Sequence, residues 1–116
     1  MGGDPEGLLA PVQWHPETRA SPELGPSSAE LVAEARASAL GELDYVAAQA
    51  YAAALIAGRC LELGPDDPLG AARRLRTATF FGAFDLDPAT GRQRGHRLSV
   101  ERWGRGRQEL LLADAG

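Results

Sequence analysis

Hydrophobic and polar positions along the chain divide it into blocks of different period. Leu8 to Trp14 is a short apolar run, which predicts a strand within residues 7–14, and Pro11 confines it to a sheet edge or a strand end. From His15 to Pro26 the chain carries Pro16, Pro22 and Pro26, each of which disfavours helix in the residue before it, so an extended connector is expected. Ser27 and Glu30 then form a capping box, since the serine hydroxyl can accept from the Glu30 amide while the carboxylate reaches back. A helix to about Leu40 follows, with Leu31, Ala35 and Ala39 on one face and Gly41 suited to the left-handed stop.

Asp44 is placed to cap a second helix through Tyr45, Tyr51, Leu55 and Leu61, ended by Gly64 and Pro65. Its middle is apolar or small on nearly all sides, the pattern of a helix buried between layers. Asp67 with Pro68 opens a third helix, whose apolar face is expected at Leu69, Ala72 and Leu75 with Arg73, Arg74 and Arg76 elsewhere. The helical region thus covers 27–77. Beyond it, Thr79 to Leu86 reads as one β-prone strand, Asp87 to Gly91 as a turn, His96 to Trp103 as a second strand, and Gln108 to Leu112 as a third after a turn at Gly104 to Gly106. A β-meander over 79–112 is the expectation. The order is one strand, three helices and a meander within a single domain of 116 residues.

Charge changes this picture little. The net charge of −4 speaks against a generic nucleic-acid binder. All cationic side chains are Arg, and most of them crowd the last third, at Arg73, Arg74, Arg76, Arg92, Arg94, Arg97, Arg102, Arg105 and Arg107. That asymmetry keeps open a module that binds a polyanion or an acidic partner. Cys60 is the sole cysteine, so no intramolecular disulfide forms, and its place in the apolar helix predicts a buried structural thiol. Met1 to Glu6 has no signal-peptide pattern, so this chain by itself is expected to stay cytoplasmic. Arg59 and Glu62 interrupt the longest apolar run, so no span of transmembrane length is expected.

Candidate chemistry is sparse. Asp85, Asp87 and Thr90 fail the spacing of a calcium loop and predict a β-turn with Pro88 fixing φ and Gly91 allowing φ > 0. Neither His15 nor His96 has a second metal ligand at a site spacing, and no positioned nucleophile occurs, so neither metal, cofactor nor catalysis is expected.

The phrase at Phe81, Gly82, Phe84, Asp87, Pro88, Thr90, Gly91, Gln93, Gly95, His96, Trp103 and Gly106 resembles the C-terminal end of type 1 periplasmic binding proteins, the branched-chain amino acid and amide receptors of ABC transporters. Leu9 to Glu17 is similar to the strand and loop of that family that reach the region between its two lobes, and Asp44 to Gly64 to its long Ala-rich helix. The resemblance implies an α/β fold, α+β as an isolated fragment, belonging to a two-lobe leucine-binding-protein-like receptor outside the cytoplasm. Its partners would be an amino acid, amide or urea and a membrane permease. Gln13 and Trp14 would then lie near the interlobe cleft as ligand contacts. A complete receptor of the family is several times longer, and its main ligand contacts come from segments absent here. The chain is expected to be a C-terminal portion that binds no solute alone and self-associates.

Overall fold

A computed structural model describes residues 7–17, 21–38, 41–104 and 107–113. The described elements are β1 (Leu9–Val12), α1 (Ser28–Ala37), α2 (Tyr45–Leu63), α3 (Pro68–Arg74), β2 (Arg76–Thr79), β3 (Gly82–Asp85), β4 (Ser99–Gly104) and β5 (Arg107–Ala113). They form an α+β arrangement with two separate antiparallel sheets, one ordered β1-β4-β5 and the other a β2-β3 hairpin.

The helix-starting residues cap where the sequence predicts, although the Glu30 carboxylate meets the Ser27 hydroxyl and not its amide. Ser27 Oγ accepts from the Glu30 amide at 3.2 Å and donates to Glu30 Oε1 at 3.0 Å, closing the start of α1. Asp44 accepts from Ala47 N at 2.8 Å and Asp67 from Gly70 N at 3.0 Å. On α1, Ser28, Leu31 and Ala35 form the buried face. This helix stops at Ala37, with Ser38 N donating to Glu34 O, earlier than expected. Gly41 is left-handed at φ 72° but lies past that cap, and Ala39 falls outside the described residues.

Three expectations are corrected. Thr79 to Leu86 is not one strand: the chain reverses at Phe80 and Phe81, so that β2 and β3 pair Thr79 with Gly82 and Arg76 with Asp85. The reversal carries Phe80 into the core, where it is 0% exposed. Thr79 Oγ1 accepts from Phe81 N at 3.2 Å, and Gly82 takes φ 140°, a backbone state that side chains resist. The meander is likewise split. Leu86 and Gln93 make only an isolated bridge after β3, and β4 instead lies between β5 and β1, with Pro11 on the edge strand opposite Val100. The Gly104 to Gly106 turn falls partly on residues 105 and 106, outside the described ones.

The third correction concerns burial of the helices. On α3 the buried residue is Ala71, whereas Leu69 is 71% exposed. Only Ala48, Ala52 and Cys60 of α2 are buried, and Tyr45, Val46, Tyr51, Leu61 and Leu63 are exposed. α3 packs along α2. The radius of gyration, 16.1 Å, exceeds the roughly 13 Å of a compact domain of this length. By length and composition α2 is also long and apolar enough to cross a membrane, with mean hydropathy 1.2 over 18 residues, contrary to the run-length reading. A soluble core helix passes the same test, and the Arg59 and Glu62 that share this one pair at 3.0 Å.

The core consists of Trp14, Leu31, Ala48, Ala52 and Phe80, with Val32, Leu43, Leu55 and Phe81 packed against it. Phe80 meets Trp14 and Tyr51 edge-on, each with ring centroids 5.9 Å apart. Phe80→Ala should therefore cost about 3–5 kcal/mol in chemical denaturation, the range for a fully buried aromatic. Leu63→Ala, at an exposed position of α2, should stay within about 0.5 kcal/mol of the parent. Equal losses would place the core elsewhere.

Candidate functional site

The motif residues after α3 build a clasp around the β2-β3 hairpin. Gln93 is its centre: Oε1 accepts from Asp85 N at 2.9 Å and Gly95 N at 3.2 Å, and Nε2 donates to Ala83 O at 3.2 Å. A side-chain amide thus satisfies backbone groups that a further strand would otherwise pair. The turn before it is held by Asp87, whose Oδ1 accepts from Ala89 N at 2.8 Å and Thr90 N at 3.1 Å, with Gly91 at φ 74°. Those two amides, in that order, hold the Asp87 carboxyl below the usual carboxylate range, and Arg94 adds a weaker pull in the same direction. Asp85 pairs with Arg94 at 3.2 Å and Arg76 at 3.4 Å, the latter without hydrogen-bond geometry to Oδ1.

His96 closes the clasp. Its ring stacks on Phe81 at 4.8 Å with 15° between planes, and a side chain at Gly82 would meet its Nδ1 at 2.8 Å. Partial burial lowers the His96 pKa, opposed by the Gln13 backbone, which favours the protonated ring. Nε2 is buried with no hydrogen-bond partner.

The two residues expected at a ligand cleft part company. Trp14 is 2% exposed, its Nε1 donates to Ser28 Oγ at 3.2 Å, and Ser28 Oγ in turn donates to Phe80 O at 3.3 Å. The Gln13 side chain is exposed.

Two open cavities flank this framework. One, of about 400 Å³, is lined by Gly70, Arg73, Arg74, Arg76 and Pro88. Arg73 and Arg74 are exposed and have no acidic partner among the described residues. The other, of about 380 Å³, lies where β1 ends and α2 begins, with Trp14, His15, Glu42, Asp44, Tyr45 and Glu101 among its walls. Glu101 is 6% exposed and its Oε2 has no partner. Sequence reasoning passed over Glu101. The available signal was strand alternation, which puts it on the same face of β4 as the buried Ser99. Among the described residues no group of three or more His, Cys, Asp or Glu could hold a metal ion. Comparison with family models, with curated proteins and with solved structures finds no match to the chain.

Because the folded His96 pKa lies below its value in the unfolded chain, the unfolded state binds the extra proton first on acidification. The stability this ring contributes is full above about pH 6.5 and is lost as pH falls through the lowered folded pKa. Thermal melts should show a decline over that window, and His96→Gln should flatten it. Asp87 adds a separate loss below its ordinary value of 3.8. An unchanged slope in His96→Gln would remove the histidine from the account.

Proposed function

We propose that this chain is the C-terminal portion of an extracytoplasmic solute-binding receptor of an ABC importer for branched-chain amino acids, amides or urea. The observation that carries the reading is α2: nineteen residues of apolar helix with most of its surface uncovered within this chain. In a two-lobe receptor such a helix lies against a parallel sheet, which supplies the missing cover. The motif residues from Phe81 to His96 fit this reading because they knit into one local unit, as a recurring structural phrase would. The function is binding and presentation: two lobes close on the solute by hinge bending, and the closed form docks on a permease. No bond is made or broken.

Isolated, the chain should give no saturable heat in calorimetry with leucine, isoleucine, valine, short amides or urea. Micromolar affinity for any of these would refute an incomplete site. It should also self-associate through α2, with light scattering after size exclusion reporting species larger than the monomer and a hydrophobic dye taken up. A sharp monomer without dye uptake would overturn the uncovered-helix argument.

A second reading is favoured by the cavity walled by Arg73, Arg74 and Arg76: an α+β interaction module for a polyanion or acidic partner. Retention on heparin that falls steeply with salt and is lost in the Arg73→Gln/Arg74→Gln double variant would support it over the receptor reading. Passage without retention would dismiss it.

A further inference from the structure

We propose that the cavity between the end of β1 and the start of α2 binds a small organic cation, with the Glu101 carboxylate as its counter-charge. Three observations converge on this. Glu101 is 6% exposed and Oε2 has no hydrogen-bond partner, so a carboxylate is held out of water with its charge unanswered. Three acids, Glu42, Asp44 and Glu101, line the cavity, and no Arg does so among the described residues. Tyr45, which is half-exposed, adds aromatic wall, which suits a cation with an apolar body.

The other acids are already engaged. Glu42 pairs with Arg36 at 3.3 Å, and Asp44 caps the first turn of α2, offsetting the positive end of that helix. His15 is buried, with Nδ1 accepting from Glu17 N at 3.0 Å. That leaves Glu101 as the acid whose partner must come from outside. β4 holds it in place from both sides, paired with Ala10 of β1 and Leu110 of β5, with a register shift beside it between Val100 and Glu101.

The class of ligand follows from what the walls lack. The acids and His15 that line the cavity do not converge as a group able to hold a metal ion, so a divalent ion finds too few donors at one point. An anion would meet three carboxylates. A volume of about 380 Å³ is at the lower end of small-molecule sites and admits a primary ammonium on a short aromatic or alkyl body. An amino-acid zwitterion is disfavoured, because its own carboxylate would enter the same acidic surroundings. The site lies wholly within this chain and is independent of the receptor reading.

Phenethylammonium, phenethyl alcohol and phenylacetate, matched in shape and differing in charge, test the proposal on the full chain by calorimetry and by tryptophan fluorescence. The cation should bind saturably, and the alcohol and the acid should bind more weakly or not at all. Glu101→Gln keeps the shape and hydrogen-bonding capacity of the side chain and should weaken cation binding about tenfold, the loss expected for a charge-assisted contact, while leaving the far-UV spectrum unchanged. Tyr45→Ala, at a half-exposed position outside the core, should weaken it less and serves as the second variant if Glu101→Gln does not fold. Equal binding of the cation and the alcohol would show a merely apolar hollow in which ligand charge plays no part and would overturn the proposal. So would a charge preference that survives Glu101→Gln, or absence of saturation with the parent chain folded.

Discussion

Ser28 Oγ is the joint on which the described structure turns. It accepts from the Trp14 indole at the end of β1 and donates to the Phe80 carbonyl at the tip of the β2-β3 hairpin, while its own backbone begins α1. Three segments distant in sequence are thereby held at one point. The geometry is demanding because both aromatic residues are buried, and a buried indole N–H or carbonyl without a partner costs about 1–3 kcal/mol. The hydroxyl satisfies both at once. The edge-on packing of Phe80 against Trp14 and Tyr51 then adds apolar burial around the polar joint. The capping box one residue earlier matters to this arrangement too, because it fixes where α1 starts and hence where Ser28 points.

Local chemistry was legible in the chain and tertiary partnership was not. Ser27, Asp44 and Asp67 cap as their spacing implies, because a cap depends on residues three apart and on nothing distant. The Asp87 turn is equally self-contained. The break at Phe80 and Phe81 escaped notice for the opposite reason: two aromatics in a β-prone run read as strand, and only the core beneath them makes a reversal favourable. The pairing of β1 with β4 spans most of the chain and leaves no local trace beyond Pro11, which marks an edge without naming its neighbour. Of the site, Trp14 was recognisable as an aromatic near a strand end, but its engagement with Ser28 was not. Glu101 was hidden because a charged residue in a short strand reads as solvent-facing until the register is known.

The clasp gives physical content to the resemblance of the segment from Phe81 to His96. Three polar side chains there satisfy backbone: Asp87 the turn amides, Thr90 the Arg92 amide and Gln93 the open edge of β3. His96 and Gly82 fit as a pair, since the stacked ring occupies the space a side chain at 82 would need. Such residues hold the shape of the hairpin and its turn. A unit of this kind fixes backbone shape, and a shape shared by many folds says little about a solute.

Other residues stand at the two ends of the charge distribution. Arg73, Arg74 and Arg76 gather beside the hairpin, whereas Glu42, Asp44 and Glu101 gather where β1 meets α2. The two groups differ in burial, and burial decides their weight. Exposed arginines are solvated at little cost and need no ligand to be stable, so an open basic cavity is weak ground for function. A buried carboxyl oxygen without a hydrogen-bond partner is costly to maintain, and the fold itself supplies no group to meet it. Glu101 is thus the one charged group in the described structure whose position is unexplained by the fold that holds it.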